Sequence, residues 1–176
     1  MIKKISILTL TLLIPVLIYV FLKSFGTNTY EVPEYYQEGV ISEYCGINTA
    51  ERYQLSIEES SLFYAHTNKN KHLQFVVKEI VRIQDKSDVK IVGLYDLNEE
   101  KLSQPSGVEY QGLLPNEFVD FLSCKLLIYT QDKNVFDYMV LVDKSGIIRG
   151  YYLANDYEEY DRMFAELLIL DSFSND

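Results

Sequence analysis

The chain has 176 residues, of which 48% are apolar, so it is long enough for one domain of ordinary size with a buried core. It carries 26 acidic and 16 basic residues, a formal charge of −10 at pH 7. A surface of that sign repels nucleic acid and anionic lipid head groups, which argues against a nucleic-acid-binding protein and favours proteins or cations as partners.

The amino-terminal residues are typical of a membrane anchor. Residues 1–4 (MIKK) are basic, and residues 5–22 form a run of 18 residues without a charge, the length of a short membrane-spanning helix. A cleaved signal peptide is the alternative, but residues 23–30 (KSFGTNTY) contain no small-residue cleavage site of the A-x-A type. The sequence therefore predicts an uncleaved single-pass anchor.

The charges beside this run predict its orientation. Lys3 and Lys4, with the free amino terminus, favour a cytoplasmic start for residues 1–4, although Lys23 on the far side partly opposes them. The protein is therefore predicted to lie in the inner (cytoplasmic) membrane, with its carboxy-terminal domain in the periplasm or another extracytoplasmic space. The residues after Lys23 include 13 basic and 26 acidic ones, a formal charge of −13.

The region after the anchor begins with weak signals. Residues 23–38 are predicted to form a polar linker and a first extended segment around Tyr30–Tyr36, and residues 39–176 to form one folded domain. Residues 40–59 favour a hairpin with Arg52–Ile57 as one arm. The signal sharpens at Ser61–Ala65, an apolar run of strand length.

A helix and a second strand follow. Asn68 or Asn70 is predicted to cap the start of the helix. Apolar residues then recur with helical spacing, at Leu73, Val76, Val77, Ile80 and Ile83. The β-branched run 89–95 (VKIVGLY) predicts the next strand.

The second half contains a loop, a short helix and another strand signal. Residues 98–112 are polar, include Pro105 and Gly107, and are predicted to form a loop with at most one helical turn. A proline suits the first turn of a helix, so residues 115–122 predict a short one. Residues 125–129 (KLLIY) predict a strand.

The chain closes with a hairpin and a helix. Residues 138–143 and 147–153 flank the turn KSG, which predicts two antiparallel strands. Asp156 and Glu159 have capping-box spacing before a helix whose predicted apolar face is Tyr157, Tyr160, Phe164, Leu167 and Leu168. The whole order predicts an α/β domain: a mixed central sheet with parallel and antiparallel strands and helices on both faces.

The two cysteines, Cys45 and Cys124, are far apart in the sequence. In an oxidising compartment such a pair predicts a structural disulfide. The alternative is two unrelated buried thiols, because the sequence does not give the separation of the two Cα atoms. No C-x-x-C spacing exists, so neither a redox motif nor a zinc knuckle has support.

Three side chains are weak candidates for a metal site. His66 and His72 are the only histidines, and with Asp137 they would form a set that suits a divalent metal. The alternative is structural, with His66 at the end of a strand and His72 on the exposed first turn of a helix. Because no third ligand is anchored by spacing, we predict no metal site.

Asp143 and Arg149 flank the predicted hairpin turn. They could be interpreted as a catalytic acid and an anion clamp. Aspartate before a glycine-containing turn commonly bonds its own backbone, however, and Arg149 can pair with it across the strands, so we assign both a structural role. The sequence contains no phosphate loop, G-x-S-x-G, H-E-x-x-H or paired-carboxylate motif, which favours a protein that is not an enzyme.

Residues 138–170 (YMVLVDKSGIIRGYYLANDYEEYDRMFAELLIL) resemble the carboxy-terminal part of the SCO/SenC family. Members of that family are membrane-anchored thioredoxin-fold proteins that handle copper for cytochrome c oxidase. The family pattern is a strand ending in L-V-D, a tight turn, I-R-G-x-Y and an acidic, capped helix. It is matched by Leu141, Val142, Asp143, Gly146, Ile148, Arg149, Gly150 and Tyr152. The strand and helix in residues 61–83 resemble the family more loosely.

The resemblance implies a thioredoxin-like fold and, from the family alone, copper as a cofactor. Family function depends on two cysteines spaced C-x-x-x-C after the first core strand and on a histidine before the L-V-D strand. Residues 66–72 contain no cysteine, and residues 131–137 (QDKNVFD) contain no histidine. We therefore expect no bound cofactor in this degenerate member of the pattern.

Two functions follow from the resemblance and the missing ligands. The first is a membrane-anchored, non-catalytic binding or assembly factor with a protein partner, linked by fold-level analogy to respiratory oxidase biogenesis. The alternative is a thiol-disulfide redox protein in which Cys45 and Cys124 cycle as a non-adjacent pair.

Overall fold

A computed structural model describes residues 13–21, 31–100, 102–130 and 134–174. Residues 13–21 are helical (α1) and belong to a unit, Met1–Glu31, that is distinct from the compact unit Val32–Asp176. Much of the predicted anchor (residues 5–12 and 22) and the start at residues 1–4 lie outside the described residues, so anchor and orientation stay predictions. In the described ranges, no helix combines the length and the apolar character needed to cross a bilayer.

The Val32–Asp176 unit contains a small hairpin and a larger mixed sheet. The hairpin consists of β1 (Val40–Ser42) and β2 (Ile47–Thr49). The sheet has the strand order β5-β4-β3-β6-β7. Its strands are β3 (Ser61–Ala65), β4 (Lys90–Asp96), β5 (Glu109–Leu113), β6 (Tyr138–Val142) and β7 (Ile148–Leu153).

The pairing follows from the connections. β3, β4 and β5 are parallel, and α2 (Leu73–Gln84) crosses over between the first two. β6 and β7 are joined by a tight turn and run antiparallel to their neighbours. The predicted mixed sheet, with a strand–helix–strand crossover and a closing hairpin, is therefore confirmed.

Hydrophobic cores cover both faces of the sheet. Along β3 the side chains alternate, with Leu62 and Tyr64 in one core and Phe63 and Ala65 in the other. The first core is closed by α2 and the last helix, α4 (Tyr157–Ser174). The second is closed by α3 (Pro115–Asp120), the π-helical turn that follows it, and segments that precede β3. Every residue of β3 is buried, as expected for a strand covered on both faces.

The loop predicted for residues 98–112 is wrong in part. Glu109–Leu113 pairs in parallel with β4 and forms one edge of the sheet. The side chains of this strand are exposed or half-buried, so the sequence lacks the apolar run of an internal strand. Its pairing partner, and not its own composition, makes it a strand.

The strand predicted at residues 125–129 is wrong. A π-helical turn (Phe121–Lys125) is followed by a 3-10 turn (Ile128–Thr130). Between them Leu127 has a φ of 54°, a value that no strand adopts. The run is apolar because its leucines and Ile128 are fully buried under the sheet. From composition alone, an apolar run in buried helical turns cannot be distinguished from a buried strand.

The first segments also differ from the prediction. The hairpin in residues 40–59 pairs Val40–Ser42 with Ile47–Thr49, and Arg52–Ile57 is irregular instead of forming an arm. Tyr30 lies outside the described residues, and residues 31–36 form no strand. This region is held by single backbone hydrogen bonds, such as Tyr35 N–H to Ile148 O at 3.0 Å.

The helix ends show which predicted caps are used. His72 is the residue that caps α2, and the Asn70 side chain instead accepts a hydrogen bond from the His72 N–H at 2.9 Å. Before α4, Asp156 accepts from the Glu158 N–H at 3.0 Å, but the Glu159 carboxylate is paired with Arg162. Only the aspartate half of the predicted capping box is seen.

The apolar face predicted for α4 is wrong at both ends. Tyr157 and Leu168 are exposed, whereas Tyr160, Met163 and Leu167 are buried against the sheet. The buried face is therefore rotated slightly around the helix from the predicted one. The reason is that the helix packs on β6 and β7 through Met163 as well as through Tyr160.

Candidate functional site

A cleft of about 670 Å³ lies where β3 ends and α2 begins. Its walls come from the β3–α2 turn, the first turns of α2 and the loop after β4. Its polar lining residues are His66, Asn68, Asn70, Lys71, Gln74 and Ser103, and its apolar ones are Leu73, Val77, Leu102 and Pro105. In α/β sheets ligands bind at the carboxyl ends of parallel strands, so this cleft is the candidate site.

The turn that forms one wall of the cleft is held by its own side chains. Asn70 is buried, and its side-chain amide donates to Ala65 O at 3.2 Å. Thr67, also buried, donates to the Glu99 carboxylate, which Lys69 reaches at 2.8 Å. Burial raises the pKa of Glu99, but the hydrogen bonds from Lys69 and Thr67 outweigh it and lower that pKa overall. The turn is therefore a fixed polar network.

His66 lies at the base of the cleft and is almost fully buried, at 3% exposure. Its Nδ1 is 3.3 Å from the Tyr64 hydroxyl, which is itself 3.3 Å from the Tyr110 hydroxyl. The imidazole meets the Tyr110 ring edge-on, with 4.9 Å between ring centroids. Its Nε2 makes no hydrogen bond of ordinary geometry among the described residues, but the Ser103 backbone lies close enough to the ring to raise its pKa by hydrogen bonding.

The protonation of this group follows from its surroundings. Burial lowers the pKa of His66, and a hydrogen bond with the Ser103 backbone offsets part of that lowering, so the imidazole is neutral at pH 7. Burial also raises the pKa of the Tyr64 hydroxyl, which therefore keeps its proton. The cluster of His66, Tyr64 and Tyr110 is therefore uncharged, and its polar atoms donate and accept hydrogen bonds.

The other two metal candidates lie elsewhere. His72 is at the start of α2, where its carbonyl accepts from the Phe75 and Val76 N–H groups. Asp137 ends a 3-10 turn before β6, and its backbone carbonyl accepts from the Ala154 N–H at 2.8 Å. Across the described ranges, no three histidine, cysteine, aspartate or glutamate side chains come together in a group that could hold a metal ion.

Cys45 and Cys124 form a disulfide, with 5.4 Å between their Cα atoms. Cys45 lies in the turn of the β1–β2 hairpin, and Cys124 lies in the π-helical turn. The Tyr53 hydroxyl donates to the Cys124 carbonyl at 3.2 Å. Both cysteines are half-buried and border a second cleft, of about 450 Å³, whose lining includes Glu117, Asp120 and Lys125.

Comparisons with known proteins bear on the fold. No protein-family model and no curated protein matches the chain. The solved structure of BsSco, a member of the Sco family of cytochrome c oxidase assembly proteins, matches with a TM-score of 0.50. The chains are 12% identical over 65% of this chain and 81% of BsSco. This chain has a Sco-like thioredoxin fold. A SCO1/SenC family lipoprotein from Bacillus anthracis str. Ames also matches, with a TM-score of 0.42, 12% identity and coverage of 65% and 82%.

The closing hairpin forms part of the framework of this Sco-like fold. Leu141 and Val142 are fully buried in β6. Asp143 accepts from the Ser145 and Ile147 N–H groups and, at 2.6 Å, from Arg149 Nε. On β7, the Tyr152 hydroxyl donates to the buried carboxylate of Glu166 on α4, and Gly150 leaves room for the Tyr152 ring. Each contact stabilises the hairpin or its packing.

Sequence reasoning missed several residues that shape the cleft of the Sco-like fold. Tyr110 is 46 positions from Tyr64, and Glu99 is 32 positions from Thr67, so no local pattern links them. The only available signal for Tyr64 is its position two residues before His66 on an alternating strand, which places both side chains on one face. The sequence carries no comparable signal for Tyr110.

Proposed function

We propose that this protein is a non-catalytic binding protein that acts in the assembly of a respiratory oxidase. In this proposal residues 5–22 anchor it in the cytoplasmic membrane, and the Sco-like domain lies on the extracytoplasmic side, where its cleft binds part of a protein partner. BsSco, which has a similar fold, belongs to a family of cytochrome c oxidase assembly proteins. The link to oxidase assembly rests on that analogy of fold.

One observation carries the non-catalytic part of the proposal. The β3–α2 turn is where the family that the sequence resembles holds its cysteines. Here Thr67, Lys69 and Asn70 occupy the turn, and their side chains bond to Glu99, to Ala65 O and to the His72 N–H. The turn has no thiol, and its polar groups are used to hold its shape. A preorganised, unreactive wall suits binding better than thiol chemistry.

Affinity capture tests the proposal. The tagged full-length protein is crosslinked in the membranes of its own cell and purified. We expect oxidase subunits to be recovered with it, and the yield to be unchanged by Cys45→Ser combined with Cys124→Ser. Lys71→Glu, which places a negative charge in the cleft, should lower the recovery. Lys78→Glu is the matched control, because Lys78 is exposed on the same helix but does not line the cleft.

Three outcomes would count against it. Absence of oxidase subunits contradicts the assembly role, and equal recovery with Lys71→Glu contradicts the use of the cleft. Titration of the full-length protein with copper and zinc is the third arm. Stoichiometric binding that His66→Ala abolishes would show that the protein is a metal-binding protein after all.

A second function is favoured by the position of the disulfide. Cys45 and Cys124 are half-buried beside an open cleft, so a partner thiol can approach them. In this alternative the pair cycles between thiols and disulfide, as a disulfide switch is described for BsSco. It predicts that one thiol of the reduced protein has a low pKa and alkylates rapidly below pH 7. A structural bridge predicts slow alkylation at that pH and a reduction potential below about −300 mV.

A further inference from the structure

The outer edge of β5 offers backbone groups that nothing else in the described part of the chain uses. β5 ends the sheet and pairs with β4. Leu113 O accepts from the Leu97 N–H at 2.9 Å, so the backbone groups of Leu113, and of every second residue before it, point toward β4. The N–H and C=O groups of Tyr110 and Gly112 therefore point away from the sheet. Among the described residues, these four groups have no hydrogen-bond partner.

This edge lacks the features that usually prevent an edge strand from pairing. Natural edges are protected by lysine, proline or a bulge. β5 contains neither lysine nor proline, and its register with β4 is regular over the whole strand. Its one charged residue, Glu109, is exposed. A carboxylate at this position repels another acidic strand and favours a basic one.

Two clefts lie along one face of this edge. Glu109, Gln111 and Leu113 share that face, because side chains alternate along a strand. Glu109 and Gln111 line a cleft of about 300 Å³, and Leu113 lines the cleft of about 450 Å³ beside the disulfide. The Phe121 side chain lines both clefts. An added strand would therefore find a pocket for alternate side chains along the full length of β5, as β-augmentation requires.

The lining of the two clefts is acidic. Lys90 is already paired with Glu59 at 3.1 Å and with Glu109 at 2.9 Å. The residues after Lys23 carry a formal charge of −13, so the surrounding potential has the same sign. Side chains that enter these clefts are therefore expected to be basic. Of the described lining residues, five are acidic and two are basic: Glu58, Glu59, Glu109, Glu117 and Asp120, against Lys90 and Lys125.

The opposite face of the edge is apolar. Leu97 is 52% exposed, and a Cβ placed on Gly112 would lie 2.6 Å from its Cδ2 atom, so Leu97 borders the edge on this face. Tyr110, which shares the face with Gly112, is half-buried. Side chains of an added strand that point to this face would therefore meet an apolar surface.

We propose that the β5 edge binds an extended segment of a partner protein in which basic and apolar residues alternate. The segment adds a sixth strand to the sheet, with its basic side chains in the two clefts and its apolar ones against Leu97 and Tyr110. This surface goes beyond the proposed function, because none of the residues that line these two clefts lines the cleft at the start of α2.

Amide hydrogen exchange of the ¹⁵N-labelled full-length protein in mild detergent tests the backbone pairing. The probe is a capped peptide of four lysines that alternate with three valines. In the free protein the Tyr110 and Gly112 amides should exchange rapidly, and the Gln111 amide, which points to β4, slowly. Saturating peptide should slow the exchange at Tyr110 and Gly112 about tenfold or more.

Two methylated peptides separate strand addition from charge attraction alone. One carries N-methyl groups on its valines and the other on its lysines, so each keeps all four charges but blocks one edge of the peptide. Only one edge can face β5, so we expect one methylated peptide to lose binding and the other to keep it. Binding by both methylated peptides would overturn the inference.

Charge variants test the choice of partner. A peptide that alternates glutamate with valine should not bind. Glu109→Lys should weaken binding of the lysine peptide roughly fivefold. Asp161→Lys should leave it unchanged, because Asp161 is exposed on α4 and lines neither cleft.

Three results would refute the proposed partner. They are unchanged exchange at Tyr110 and Gly112 with saturating peptide, equal binding of the lysine and glutamate peptides, and insensitivity to Glu109→Lys. Protection of Tyr110 and Gly112 that rises with protein concentration in the absence of peptide would also overturn it, because a second copy of the chain would then occupy the edge.

Discussion

At the scale of single residues, the Asp143 carboxylate accepts several hydrogen bonds that hold the turn between β6 and β7. Asp143 is 5% exposed and accepts from the Ser145 N–H, the Ile147 N–H and Arg149 Nε, at 2.8, 3.0 and 2.6 Å. Arg149 also reaches Glu34 at 3.0 Å, so the pair ties the segment before β1 to the hairpin. A buried carboxylate with three donors is worth far more than an exposed ion pair.

Asp143→Asn should therefore destabilise the protein strongly. The amide keeps the shape but removes the charge that compensates the Arg149 guanidinium and one of the acceptor oxygens. We expect a loss of about 2 to 4 kcal/mol in the free energy of unfolding, measured by guanidinium chloride titration of the full-length protein in mild detergent. Asp161→Asn is the control, because Asp161 is exposed on α4, and it should change stability by less than about 0.5 kcal/mol. A similar effect of both variants would refute this role of Asp143.

At the scale of elements, the β6–β7 turn anchors a neighbouring irregular segment. Gly146 has a φ of 77°, and its carbonyl accepts from the Leu55 N–H at 2.8 Å. A Cβ placed on Gly146 would lie 1.9 Å from the Leu55 carbonyl oxygen, which is backbone and cannot move aside cheaply. The hairpin and the 52–57 segment therefore dock through a glycine that serves both conformation and close approach.

A pair of glycine substitutions separates these two requirements. Gly46 also has a positive φ, 63°, but a Cβ there would meet nothing within 4 Å. Gly46→Ala should cost only the strain of the left-handed conformation, about 1 kcal/mol. Gly146→Ala adds a backbone clash, and we expect a loss of about 3 kcal/mol or more. Thermal unfolding of both variants, followed by circular dichroism, makes the comparison, and equal losses would show that the close approach does not matter.

At the scale of the whole domain, the disulfide is a long-range crosslink. Cys45 and Cys124 are 79 residues apart in sequence and join the β1–β2 hairpin to the π-helical turn beneath the sheet. The hairpin is not part of the five-stranded sheet, so the bridge attaches a peripheral element to the core. Its main effect is to restrict the unfolded chain.

Reduction of the disulfide should lower the free energy of unfolding while the five-stranded sheet stays folded. The chain-entropy estimate for a loop of this length is about 4.5 kcal/mol. We expect the midpoint of guanidinium chloride unfolding to fall in dithiothreitol, while the far-ultraviolet circular dichroism of the folded state is kept. A variant with Cys45→Ser and Cys124→Ser should have the lower midpoint with or without reductant. An unchanged midpoint on reduction of the wild-type protein would contradict a stabilising bridge.

The sequence by itself determined the elements whose signals are local. The strand Ser61–Ala65, the helix stripe through Ile80 and the hairpin around Gly146 follow from side-chain period and turn chemistry within a few residues. The L-V-D and I-R-G motifs are also local signals. The resemblance based on them predicted the Sco-like thioredoxin fold, which the structural match supports.

Tertiary structure alone decided the features that depend on distant partners. Glu109–Leu113 is a strand because it pairs with the edge of β4. Residues 125–129 lie in helical turns because they are buried in the core, where a continuous apolar run has no periodicity that distinguishes a strand from a helix. The cysteine pairing and the cluster of His66 with Tyr110 depend on chain closure over many residues. Local sequence carries no information on such closures, since their free energy comes from packing that forms only when the whole sheet is assembled.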